Sequence, residues 1–162
     1  MQVNESLEAS AEQFVRQIFA DQVPSAYYFH DLHHTLCVVD AVKTIAAQYE
    51  LSEEDRSALI LAAWFHDTGY SRQYEGHENA SAQIAGDYGR MQQIDEAILN
   101  KVRSCILATK MPQTPASLIE EIICDADLYH LGNDNFVEES RLLRKELNTA
   151  FGKDISKKEW RK

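Results

Sequence analysis

Apolar residues recur along this chain at intervals of three and four, the spacing that lines one face of an α-helix, and no stretch alternates apolar and polar over enough positions to make a strand. The pattern predicts an all-α fold, a compact helical bundle with helices over roughly residues 6–20, 30–49, 53–66, 77–89, 92–108, 116–130 and 134–150. The breaks between them carry their own chemistry. Pro24 ends the first region, Ser52 ahead of Glu53, Glu54 and Asp55 reads as an N-cap with an acidic first turn, and Pro112 and Pro115 bracket a loop. Gly69 and Gly76 mark the connection after the third helix, and Gly132 falls where a C-cap belongs. The third helix contains Ala58 to Phe65, ALILAAWF, apolar on every side and therefore expected at the centre of the bundle. This is the longest uninterrupted apolar run, and it falls far short of the roughly 20 residues that cross a bilayer.

Length and composition agree with one such unit. A chain of 162 residues, 44% hydrophobic, can bury one sizeable core and is short for two full domains. With no repeat or linker, it reads as a single helical domain with its core in roughly 28–132 and a closing helix over roughly 134–150. The polar tail KDISKKEWRK around Trp160 leaves room for a natural chain that continues further. The opening MQVNESLEASAEQ has acids and no basic segment ahead of an apolar one, so it does not read as a secretory signal, and a cytoplasmic protein is expected. Cys37, Cys105 and Cys124 are odd in number and form no CxxC pair. They predict neither disulfides nor a thiolate metal site and read as small core residues.

The formal charge of -10, from 26 acids against 16 scattered bases, offers no electrostatic footprint for DNA or RNA. The same charge repels a small phosphate ester unless a local positive charge, such as a metal ion, inverts the field. Oligomeric state has no signature here. All six histidines, His30, His33, His34, His66, His77 and His130, fall in the middle of the chain.

At about 100° per residue, His34 shares a face of the second helix with Cys37, Val38, Ala41, Val42 and Ile45. His30 lies on that face one turn earlier, and His33 falls toward its edge. His66 and Asp67 directly follow the most apolar helix, where an unpaired buried carboxylate is costly. In the helix near residue 116, the face of Ile119, Ile122, Ile123 and Ala126 leaves Asp127 about 70° from its centre and Asp125 about 130° away. Asp127 can look inward. Singly, each of these residues has an ordinary reading as a core histidine or a solvated or capping acid. Together, His34, His66, Asp67 and Asp127 supply two neutral imidazoles and two carboxylates, a nitrogen and oxygen set whose charge cancels that of one divalent ion. Without thiolates and with octahedral positions left open, the set suits Mn²⁺, Fe²⁺, Co²⁺, Ni²⁺ or Mg²⁺, with Zn²⁺ also admissible.

The order His34, then His66–Asp67 within LAAWFHDTGY, then Asp127 within ICDADLYHLG resembles the H…HD…D signature of the HD-domain superfamily of metal-dependent phosphohydrolases, over roughly residues 28–132. The resemblance implies a hydrolase acting on a small phosphate ester, most readily a nucleotide, through metal-activated water that Asp67 helps to orient. YFHDLHHT is similar to the YHNxxHx segment of the superfamily's cyclic-nucleotide phosphodiesterases, whose earlier histidine protonates the leaving group. His30 matches that position, with Asp31 in place of the Asn. Members with two metals carry further histidines; His77 in YEGHENAS matches one, but SCILATK has none where another belongs, so one metal is expected. His77 and Glu78 are then expected to line the pocket, with Lys110 and Arg72 available to phosphate oxygens. A non-catalytic, metal-containing nucleotide sensor and a cyclic-nucleotide phosphodiesterase are the alternatives for the same site. A zinc-protease reading of HDLHH, one methylene short of HExxH, leaves the His-Asp pair and Asp127 unexplained. His33 and His130 have no assigned role.

Overall fold

The computed structural model describes residues 5–27, 31–128, 136–153 and 155–156. Among them every regular element is helical: α1 (Glu5–Gln22), α2 (Leu32–Ala46), α3 (Glu53–Phe65), α4 (His77–Met91), α5 (Glu96–Ala108), α6 (Leu118–Asp127) and α7 (Phe136–Phe151), with a 3-10 turn over Thr68–Ser71 between α3 and α4. The all-α expectation is met, and Ser52 caps α3 as its sequence predicts, its hydroxyl accepting the Asp55 amide at 3.1 Å. Several helix starts differ from the expected bounds, two of them for evident local reasons. α2 begins at Leu32 because Asp31, in extended backbone, caps it by accepting the His34 amide at 3.1 Å. α5 begins at Glu96 because Gln93 takes a left-handed conformation (φ 59) and the Ile94 amide turns back to the Gly89 carbonyl at 2.9 Å. Gly132 and Trp160 lie outside the described residues.

α3 packs against α1, α2, α4, α5 and α6, the central position its all-round apolar sequence predicts. Leu59 and Phe65 are buried to 1% exposure or less. Each such side chain contributes about 1.5–3 kcal/mol through burial. The buried face of α2 includes Thr35 and Val39, while Cys37 and Ile45, expected in the core stripe, are only half-buried. Cys105 and Cys124 are buried free thiols, and burial pushes Cys124 up to about 12. Among the described residues no helix is long and apolar enough to cross a membrane.

After α3 the chain reverses within a few residues, and Gly69 makes this possible. Its amide donates to Ser81 Oγ at 2.8 Å, and a Cβ on Gly69 would sit 1.9 Å from the His77 carbonyl oxygen and 2.7 Å from the Ser81 amide nitrogen. Both obstacles include backbone, so neither can rotate away. Gly86, within α4, differs: a Cβ there would meet only the flexible Arg90 guanidinium, at 3.4 Å. Gly69→Ala should therefore cost about 1–3 kcal/mol or more from overpacking, whereas Gly86→Ala should be neutral or stabilise by up to about 1 kcal/mol through helix propensity. Urea denaturation of both variants checks the contrast, and equal shifts would contradict this packing.

Candidate metal centre

The end of α3 prepares a histidine to bind through one nitrogen. His66 Nδ1 faces the Ala63 carbonyl at 2.8 Å. A carbonyl can only accept, so Nδ1 holds the proton and Nε2 is left to point away from its own helix. Thr68 Oγ1 donates to the Phe65 carbonyl at 2.7 Å and the Tyr70 amide to the Asp67 carbonyl at 3.1 Å, satisfying carbonyls at the helix end and fixing the turn that carries Asp67. His34 stands in the first turn of α2, and Asp127 is the last residue of α6.

These four side chains meet in a ring. His34 Nε2 lies 3.0 Å from Asp127 Oδ1 and 3.5 Å from Asp67 Oδ2; His66 Nε2 lies 3.3 Å from Asp67 Oδ2 and 3.4 Å from Asp127 Oδ1. Imidazole nitrogens and carboxylate oxygens alternate around it. Three of the side chains are buried, and Asp127 keeps 19% of its side chain exposed. Yet His66 Nε2 and Asp67 Oδ2 are buried without a hydrogen-bond partner among the described residues. Such orphans need an explanation. Donors held about 2.1 Å from one cation lie about 3.0 Å apart at right angles and about 3.4 Å apart at the tetrahedral angle. The observed edges run from 3.0 to 3.5 Å, and His34, His66 and Asp127 offer ligand atoms that all lie within 4.8 Å of one another, so these three could hold a divalent ion, with Asp67 beside both imidazoles. His66 caps the C-terminal end of α3 and Asp127 ends α6, so two negative helix ends also face the ring.

The electrostatics agree. Burial pulls the His34 imidazole pKa down, but the hydrogen bond it donates to Asp127 and the charge of Asp67 outweigh it and leave the value raised. His66 is raised well above its ordinary value, with burial again opposing and Asp67 and Asp127 prevailing. Burial raises both carboxyls, yet the surrounding imidazoles hold Asp67 and Asp127 well below the usual range.

Beside the ring, His77 Nε2 lies 3.2 Å from Asp67 Oδ1 and its Nδ1 lies 3.4 Å from Glu78 Oε2. Asp67 thus faces the ring with one oxygen and His77 with the other. Of the two residues expected to line the pocket, His77 is brought next to the ring and Glu78 stands behind it. Arg72 is exposed and donates to Gln83 of α4 at 3.2 Å, and Lys110 is exposed after α5; neither contacts the ring among the described residues. Asp125 is exposed, as its helical phase predicts, and exposed His33 has Nε2 3.6 Å from Cys37 Sγ. His30 and His130 lie outside the described residues. Sequence reasoning missed the stack of Tyr70 on His77, with ring centroids 3.9 Å apart and planes at 15°, and missed Glu146, fully buried on α7. One signal for Glu146 was present: it falls one turn after Leu142 and Leu143 on the same helix face.

The family model of the HD domain matches residues 17–132, beginning within α1 rather than near residue 28. No curated protein matches the chain. Among solved structures, the crystal structure of a predicted HD superfamily hydrolase from an uncultured Thermotogales bacterium is similar, with a TM-score of 0.68 and 20% identity over 89% of this chain and 85% of that one. At that identity the likeness shows the fold.

The shifted values set a pH window. The stabilisation from His34 and His66, whose pKa values are raised on folding, is complete below the ordinary imidazole value of about 6.5 and is lost as pH rises through the folded values. That from Asp67 and Asp127 is complete above the ordinary carboxylate value of about 4 and is lost only in acid. Protein stripped by a chelator should therefore show a Tm that falls as pH rises above about 6.5. Added Mn²⁺ should reduce that fall, since ligation uses neutral imidazoles. A Tm at pH 8 indifferent to both chelator and Mn²⁺ would speak against a cation site.

Proposed function

Because the chain belongs to the HD domain family, we propose that it is a metal-dependent phosphohydrolase that cleaves a small phosphate ester, with a nucleotide as the favoured substrate. The observation that carries this reading is the largely buried ring of His34, His66, Asp67 and Asp127, with two of its polar atoms lacking hydrogen-bond partners among the described residues. The similar structure from the Thermotogales bacterium, itself described as a predicted HD superfamily hydrolase, supports a hydrolytic role. In this reading the four residues hold one divalent ion, Mn²⁺, Fe²⁺, Co²⁺, Ni²⁺ or Mg²⁺, with Zn²⁺ also admissible, and the protein works in the cytoplasm on a diffusible substrate rather than a nucleic-acid polymer.

When bound, such an ion supplies Lewis acidity, lowering the pKa of water and drawing charge from a phosphoryl oxygen. The chain's own residues do the rest. Asp67, fixed through Oδ1 by His77, orients the attacking water. Hydrolysis joins the water oxygen to phosphorus and breaks the bond to the departing oxygen, and His30 donates the proton that oxygen needs. Glu78 holds the far nitrogen of His77. Arg72 and Lys110, both exposed, are available to compensate phosphate charge. The net charge of -10 keeps polyanions away and leaves a small ester admissible once the ring has its cation.

Metal analysis of the purified protein, followed by assays on nucleoside mono-, di- and triphosphates and cyclic nucleotides, tests the reading. Wild type should turn over at least one class, and His34→Ala and Asp67→Ala should lose about 100-fold or more. A metal-loaded wild type that binds a nucleotide saturably without turnover would replace the enzyme by a sensor. For the proton donor, His30→Gln should slow hydrolysis of a nucleotide ester by about 100-fold or more. It should affect p-nitrophenyl phosphate far less, because that leaving group departs without protonation. Equal losses on both substrates would remove His30 from this role.

A further inference from the structure

α7 lies beyond the residues that the family model matches, yet it places a carboxylate at full burial: Glu146 is 0% exposed. Its Oε2 accepts the Tyr74 hydroxyl at 2.8 Å. Tyr74 belongs to the segment between the 3-10 turn and α4, the segment that separates Asp67 from His77. Its ring meets Tyr70 at 5.0 Å between centroids and Tyr27 at 5.4 Å, and Tyr27 meets Tyr70 edge-on at 5.9 Å. The three rings thus brace one another. Tyr70, only 5% exposed, lies flat on the His77 imidazole, and His77 Nε2 faces Asp67 Oδ1 at 3.2 Å. A flat stack leaves the imidazole little freedom to tilt, so the plane of Tyr70 sets the direction of Nε2. On the other side of α7, the chain turns back and fastens Ile155 to Asn148 through reciprocal hydrogen bonds of 2.9 and 3.1 Å.

We propose that Glu146 is a positioning residue for the metal centre, acting through Tyr74, Tyr70 and His77 on Asp67. The proposal rests on the reading of the ring as a metal site. Each link has a separate task. Glu146 holds the Tyr74 hydroxyl, Tyr74 and Tyr27 set the Tyr70 ring, Tyr70 sets the His77 plane, and His77 holds the outer oxygen of Asp67 so that the inner oxygen stays in the ring. Partners of metal ligands commonly change affinity by about 10- to 100-fold when removed. A group several contacts further out should have a smaller effect.

Mn²⁺ affinity, measured below each variant's Tm, tests the route. Tyr74→Phe keeps the ring and removes the hydroxyl, and should weaken Mn²⁺ binding about 3- to 10-fold. Glu146→Gln retains an acceptor for Tyr74 and should stay within about 2-fold of wild type. His77→Ala should weaken binding itself, and adding Tyr74→Phe to it should cost nothing more, because the link is already cut. Tyr74→Phe with wild-type affinity, or effects that simply add in the double variant, would overturn the proposal. A second arm uses chelator-treated protein, where the His77 imidazole NMR signals, assigned by their loss in His77→Ala, should shift in Tyr74→Phe. Unmoved signals also overturn it. Wild type that takes up no Mn²⁺ would overturn the metal reading instead, and the imidazole signals would still decide whether the Tyr74 hydroxyl, held by Glu146, orients His77.

Discussion

A carboxylate buried at the end of an apolar helix, with a second, partly exposed one facing the same imidazoles, cannot be left to itself, and the arrangement of the surrounding helices answers that constraint. Asp67 and Asp127 each face the same two imidazoles at 3.0–3.5 Å. Removing either imidazole would leave a buried charge underpaired, a loss that in other proteins costs more than the intact pair contributes. Protons on His34 and His66 can balance the two acids, and a divalent ion can do so while also taking up the two atoms left without hydrogen-bond partners among the described residues. The ring is therefore a place where folding and chemistry draw on the same four groups.

The remainder of the structure positions those groups. α3 carries His66 into the interior because its own surface is apolar all round and other helices cover it. The 3-10 turn that follows brings Asp67 inward, and the glycine within it allows α4 to approach until the His77 imidazole reaches the outer oxygen of Asp67. Asp31 starts α2 early enough to place His34 in its first turn. Few of these contacts are large in energy. Their combined effect is directional, since each removes a rotation that would otherwise move a donor out of the ring.

Much of this was legible in the sequence because it depends on local period. Helical phase alone placed His34 and Asp127 inward and Asp125 outward, and the apolar run before His66 marked α3 as central. Family resemblance then joined four residues that phase could only suggest. What escaped was of two kinds. Asp31, the 3-10 turn and the late start of α5 depend on single capping or left-handed residues, which shift a boundary without changing the periodic pattern. Helical spacing sets Glu146 beside Leu142 and Leu143, but its contact with Tyr74 joins segments 72 positions apart, and no spacing rule names so distant a partner. The expected core role of Cys37 lapsed because the buried stripe of α2 includes Thr35 and Val39 instead.

The separation of the ring's members along the chain has a consequence for how the protein forms. The contact between His34 and Asp127 closes a stretch of 93 positions. Closing so long a loop in an unfolded chain costs conformational entropy that one pair of side chains cannot offset. Short metal-binding modules, whose ligands are close in sequence, can be nucleated by their ion. Here α3 must first be enclosed by its neighbours before the four donors share one place. Cation uptake would then come late in folding, as a lock on a bundle already assembled by its apolar faces.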